Sequence, residues 1–197
     1  MPGFNVHTGT LAVLDENDVD TDRIIPARFL TMVTKRGYGE LLFKDVRGAG
    51  FPLDRPEAQG ASILVVGSNF GCGSSREHAV WAIQQAGYAA VIAKRTAQNL
   101  GYSDIFRSNA GNCGLLLIEL AEADHARLVA AGQGTKCTVD LPAQRVVWDG
   151  GEATFDMDPV TKEAMIEGRD LIGRTLVYAD EIAHHEAKLP AYVSVAR

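Results

Sequence analysis

The stretch Gly67-Ser68-Asn69-Phe70-Gly71-Cys72-Gly73-Ser74-Ser75-Arg76-Glu77-His78-Ala79 carries most of the reactive side chains whose spacing suggests chemistry. Gly71 and Gly73 flank Cys72, so the backbone there can take angles closed to other residues and approach a ligand closely. Ser74 with Glu77 three residues on has the spacing of a capping box, which predicts a helix starting at that serine. The first amides of such a helix lack partners within it and carry the positive end of its dipole. Arg76 adds a guanidinium able to grip a carboxylate through two parallel bonds. Together these features describe an anion site of helix-terminus type. The plainer reading, a serine that only caps and an arginine that only meets water, stays open on this spacing alone.

Counting excludes several familiar loops. A Walker loop carries lysine after its last glycine, and none is present here. A dinucleotide loop needs glycine where Arg76 stands. A hydrolase elbow needs glycine two residues before and after its serine. Ser74 has Cys72 and Arg76 at those places, and Ser75 has Gly73 and Glu77.

Upstream, Asp18, Asp20 and Asp22 alternate. An EF-hand begun at Asp18 would put Arg23 where glycine is required and Phe29 where the bidentate glutamate belongs, so calcium is rejected. The aspartates read as caps of local turns in a solvated loop. Lys35-Arg36, followed by Gly37-Tyr38-Gly39, forms a basic loop. His78 lies among apolar helix neighbours and reads as packed. His184 and His185 diverge by about 100° on a helix and cannot share one metal.

The elements that position these residues are those of a mixed α/β protein. Thr10 to Leu14 reads as a strand, Asp15 to Asp22 as an acidic loop, and Ala27 to Val33 as a short helix. Residues 37–60 read as loop. Ala61 to Val66 is a continuous apolar run ended by Gly67, as in a strand buried on both faces. The Gly-rich turn, a helix from Ser75 to Ala86 stopped by Gly87, and a strand from Ala89 to Ala93 complete a central βαβ unit. A strand over Leu115 to Leu120, a helix over Glu122 to Ala131, and strands over Thr135 to Leu141, Arg145 to Trp148 and Ala153 to Met157 follow. Asp158-Pro159 opens a helix, and Asp180 to Lys188 forms a last one. We expect one domain over residues 1–197, with a mixed sheet and with residues 158–197 as a C-terminal helical extension.

Composition agrees. Among 197 residues, 46% hydrophobic and 22% charged is a globular profile with enough apolar mass for a core. A net charge of -6 argues against nucleic acid and anionic membranes, and means that an anionic substrate must be held by a local positive site. No apolar run is long enough to span a bilayer, and the first residues lack a signal-peptide layout, so the expected location is the cytoplasm. Cys72, Cys113 and Cys137 are widely spaced and make neither a disulfide framework nor a self-contained zinc or iron–sulfur set.

Asn69-Phe70-Gly71-Cys72-Gly73-Ser74-Ser75-Arg76-Glu77-His78-Ala79 resembles the signature of the aconitase swivel domain, most of all in the free-standing small subunits of 3-isopropylmalate dehydratases. Asp18-Val19-Asp20-Thr21-Asp22-Arg23-Ile24-Ile25-Pro26 resembles that family's N-terminal motif. The likeness continues through Gln59 to Leu64, Asp104-Ile105-Phe106 with Asn109, and Gly114 to Leu116. The chain departs from the pattern at Val80, where many relatives have proline, and in the longer link Thr96 to Tyr102.

The resemblance implies an aconitase swivel-type β/β/α fold. It further implies isomerisation of 2-isopropylmalate to 3-isopropylmalate through 2-isopropylmaleate, with Ser74 as the base, Ser75 and Arg76 binding a substrate carboxylate, and Asp22 facing the active site. Lys35 and Arg36 would help select the substrate side chain, and Cys72 would be a spacer. A [4Fe-4S] cluster would be held by three cysteines of a separate large subunit, leaving this chain inactive alone. Two alternatives stand beside this reading: a small subunit of a related hydro-lyase of homoaconitase, citraconate/2-methylmalate or dimethylmalate type, and a non-catalytic anion-binding module.

Overall fold

The computed structural model describes residues 3–32, 34–74 and 76–190. The chain begins with the strand β1 (Val6–Leu14) and a single helical turn, α1 (Thr21–Ile24). Four 3-10 turns follow at Ala27–Phe29, Gly39–Leu41, Pro52–Asp54 and Pro56–Ala58. Next come β2 (Ile63–Val66), α2 (Glu77–Gln85), β3 (Ala90–Arg95), α3 (Asp104–Cys113), β4 (Leu116–Ala121) and α4 (Glu122–Ala131). The strands β5 (Lys136–Asp140), β6 (Arg145–Trp148) and β7 (Gly151–Thr154) lead into the C-terminal helices α5 (Pro159–Glu167), α6 (Leu171–Leu176) and α7 (Ala179–Glu186).

The strands form one mixed sheet in the order β4-β3-β2-β1-β5-β6-β7. The half from β4 to β1 is parallel, and the half from β1 to β7 is antiparallel. β1 joins the two: Val6 to Thr10 pair with β5, and Leu11 to Leu14 pair with β2. Side chains alternate across the sheet, so a run such as Ile63-Leu64-Val65-Val66 feeds two cores. Leu64 and Val66 share one core with Ala79, Val80, Ala82 and Ile83 of α2 and Phe106 of α3, whereas Ile63 and Val65 share the other with Leu128 of α4 and Met165 of α5. Both faces being covered explains why the parallel strands read as unbroken apolar runs.

Several elements differ from the sequence expectation. α2 begins at Glu77, not at Ser74 or Ser75: Arg76 is its N-cap, extended at φ −130° and ψ 149°, with no side-chain cap bond. The expected helix over Ala27 to Val33 is one 3-10 turn, and Val33 lies outside the described residues. β7 starts at Gly151, because Trp148 pairs with Gly151 and leaves the two-residue Asp149-Gly150 turn that suits the twist of a hairpin. α3 covers the Asp104-Ile105-Phe106 motif, where the sequence shows no helical periodicity. Its sequence buries just Phe106 and Ala110, one i,i+4 pair, which is too thin a stripe to signal a helix. Its ends are nevertheless well marked, by Ser103, whose side chain accepts from the Phe106 amide, and by left-handed Gly114 at φ 77°. No helix among the described residues is long and apolar enough to cross a membrane.

Candidate active site

Strands β1 and β2 end at Leu14 and Val66, but the chains beyond them stay zipped together. The Gly67 amide donates to Glu16 O (3.1 Å), Asp18 to Ser68 O (2.9 Å), Gly71 to Val19 O (2.8 Å) and Thr21 to Cys72 O (3.1 Å). Side chains reinforce the pairing. Asn17 Oδ1 accepts from the Ser68 amide and hydroxyl at 2.9 and 3.1 Å, and Asn69 Nδ2 donates to Asp18 Oδ1 at 2.7 Å.

The loop after β3 grips the other edge of the Gly-rich turn. Asn69 and Phe70 amides donate to Leu100 O and Gly101 O at 2.9 and 2.8 Å. Ser103 Oγ donates to Gly71 O at 2.6 Å. The turn is thus held on both edges at the carboxyl ends of parallel strands, the crevice where open α/β sheets bind ligands. Gly71 is indispensable to this clamp. Its φ is +73°, and a Cβ there would sit 2.3 Å from the Phe106 ring.

This pairing brings the two sequence motifs together. Asp20 and Cys72 form a bridge, and Asp22 and Ser74 each stand two residues beyond it. Asp20 caps α1, its carboxylate accepting from the Arg23 amide at 2.7 Å. Asp22, in the first turn of α1, is exposed. Ser74 and Arg76 are exposed at the approach to α2. Ser75 lies outside the described residues.

The expected capping box is absent. The Glu77 carboxylate accepts instead from the Cys113 thiol at 3.2 Å. Burial, then this carboxylate, pushes that thiol up to about 12. Ser74 is therefore not used as the cap of α2.

Lys35 and Arg36 are exposed on a loop laid along α2, with Lys35 Nζ 4.8 Å from the Trp81 ring centroid. His78, between the two groups, is packed edge-on to Tyr38 at 5.5 Å and 4.7 Å from Trp81. Burial holds its imidazole below the ordinary range. Glu77 opposes this shift, while Arg76 and Lys35 both add to it. Cys72 is kept a thiol by burial first and then by Asp20 and Asp18, which agrees with a spacer and not a nucleophile.

Sequence reasoning missed Asn17, Asn69 and Ser103 as clamps of the turn, and Trp81 and Gln85 as supports of the basic loop. Only Ser103 carried a local signal, as a serine before an acidic residue opening a helix. Cys72, Cys113 and Cys137 belong to the turn, the end of α3 and β5. Among the described residues no three His, Cys, Asp or Glu side chains gather as a metal would require.

Comparison with known proteins gives this geometry a family. Residues 1–123 match the Aconitase C-terminal domain, and residues 126–159 match LeuD_N. Fold and site together define a swivel-type domain of the aconitase family. The chain is 44% identical over 197 residues to the 3-isopropylmalate dehydratase small subunit of Halalkalibacterium halodurans, covering 95% of this chain and 98% of that one. It is 47% identical over 194 residues to the protein of that name from Anaeromyxobacter dehalogenans, covering 94% and 98%. A crystal structure of 3-isopropylmalate dehydratase (leuD) from Methanocaldococcus jannaschii superimposes with a TM-score of 0.67 at 27% identity, over 89% of this chain and 99% of that one. The chain belongs to the family of 3-isopropylmalate dehydratase small subunits.

Proposed function

We propose that this chain is the small subunit of a two-chain hydro-lyase that interconverts 2-isopropylmalate and 3-isopropylmalate through 2-isopropylmaleate in leucine biosynthesis. The names of its relatives favour this substrate over the homoaconitate, citraconate and dimethylmalate alternatives. The observation that supports this reading is the zipped pairing of residues 16–21 with 67–72, just beyond which Asp22, Ser74 and Arg76 follow as exposed residues.

The demanding step is removal of a proton next to a carboxylate, which needs a base and a cradle for developing charge. Ser74 is the proposed base, acting as an alkoxide. A free serine hydroxyl is too weakly acidic for this, so the anion must be stabilised where it stands. Arg76 and the positive end of α2 supply that stabilisation. Arg76, with Ser75, also holds a substrate carboxylate, Lys35 and Arg36 face the variable side chain, and Asp22 pairs with a histidine of the large subunit. A [4Fe-4S] cluster on that subunit supplies the Lewis acid for the departing hydroxyl. We further propose that residues 1–197 act as one domain, with 158–197 as its extension, in the cytoplasm.

Co-purification with a matching large subunit and assay on 2-isopropylmalate tests the reading. Turnover is expected from the pair and not from either chain alone. Robust turnover by this chain without its partner would overturn the proposal, as would a mixed complex that assembles but does not act on 2-isopropylmalate.

A further inference from the structure

Helix α2 approaches the proposed base at its N-terminal end, and at its far end it holds a second charged element in place. Gln85 grips the basic loop at two points: its Nε2 donates to Lys35 O at 2.8 Å, and its Oε1 accepts from the Tyr38 amide at 2.9 Å. One turn back, Trp81 lies under the Lys35 ammonium, 4.8 Å from ring centroid to Nζ. Tyr38 is fully buried, edge-on to Trp81 at 5.6 Å and to His78 at 5.5 Å. Gly39 makes the close approach possible, since a Cβ there would stand 2.4 Å from Gln85 O. The segment 35–39 is therefore laid on the last two turns of a helix whose first turn follows Arg76. With about 1.5 Å of rise per residue, a helix acts as a rigid spacer between its ends.

We propose that Gln85, together with Trp81, is a positioning residue that sets the distance and direction of the Lys35 ammonium from the Ser74–Arg76 end, and through it the enzyme's preference for the substrate's alkyl group. The inference rests on the reading that Lys35 and Arg36 face the substrate. Gln85 is itself exposed, so truncating it lets water take its place and leaves no unpaired group in the core. The loss falls on where the loop stands. A misplacement of about an ångström can cost a site about a hundredfold in efficiency.

The test uses the complete two-chain enzyme with 2-isopropylmalate and 2-methylmalate as probes. Gln85→Ala should raise the KM for 2-isopropylmalate about tenfold, leave kcat within about twofold, and narrow the preference over 2-methylmalate. Gln85→Met, similar in length but without hydrogen bonds, should behave alike. Gln85→Glu keeps the bond from Tyr38 and should fall between. A thermal midpoint close to that of the parent would separate positioning from folding. Unchanged KM and preference in Gln85→Ala overturns the inference, as does a loss confined to kcat. If Lys35→Ala/Arg36→Ala raises KM while Gln85→Ala does not, the inference falls and the loop's role survives. If neither changes KM, the loop does not hold substrate and both fall.

Discussion

Ser74 had two roles open to it in the sequence, helix cap or exposed reactive oxygen, and a neighbouring contact speaks against the first. Glu77 would have completed a capping box, but its carboxylate is taken by the Cys113 thiol of α3. Arg76, not Ser74, then becomes the N-cap of α2. With no structural bond to α2 to lose, Ser74→Ala should leave the melting temperature and complex assembly unchanged while lowering kcat by about a hundredfold or more. Steady-state kinetics and calorimetry on the assembled pair check both halves. Asp18 poses the opposite case. It sits at φ 55° and accepts from Asn69 at 2.7 Å. Asp18→Ala should destabilise the chain by about 1–2 kcal/mol, since the bond is lost and alanine tolerates this backbone poorly. Asp18→Gly, with the backbone strain relieved, should lose less in urea unfolding.

At the scale of elements, the Gly-rich turn owes its shape to partners on either side and not to its own glycines alone. Gly71 and Gly73 look equivalent in the sequence, and both have left-handed backbones, at +73° and +82°. They differ in surroundings. A Cβ on Gly71 would strike the Phe106 ring at 2.3 Å, whereas one on Gly73 would meet only Asp20 Cβ at 3.7 Å. Gly71→Ala should therefore cost about 3 kcal/mol or more, and Gly73→Ala about 1 kcal/mol, in equilibrium unfolding. The link Thr96 to Tyr102 lies where it can brace this turn, and its Leu100 and Gly101 carbonyls hold Asn69 and Phe70. The helix α3 behind it escaped a periodicity reading because only Phe106 and Ala110 among its residues are buried. The strands β2 and β3, buried on both faces, could not be missed.

Across the whole molecule, His125 is one of three buried polar side chains among the described residues, with Thr21 and Ser68. It is 1% exposed on α4, with Nε2 2.7 Å from Val66 O at the end of β2, so the neutral ring donates that bond. Burial lowers its pKa. The bond to Val66 and the charge of Asp15 oppose this, and Lys94 adds to it. Because the folded state resists the proton that the unfolded state accepts, this contribution to stability is complete above about pH 6.5 and declines as the pH falls below that value. His78 acts in the same direction more weakly, being partly exposed. Urea midpoints at pH 7.5 and 5.5 should show the fall, and His125→Gln should flatten it. An equal slope in that variant would assign the effect elsewhere.

The parallel strands, the βαβ unit, the helix opened by Asp158-Pro159 and the two motif blocks all follow from the sequence by itself, because each depends on residues close along the chain: an apolar run, a glycine stop, a capping residue. Which loop meets which depended on the tertiary structure. Asn69 finds Asp18 across 51 residues, and Gln85 finds Lys35 across 50. Such pairs leave no periodic trace, since they are fixed by the register of β1 on β2 and by the way α2 packs over the sheet. The same long-range packing brings Cys113 to Glu77, so that Glu77 no longer completes a capping box with Ser74, which is exposed.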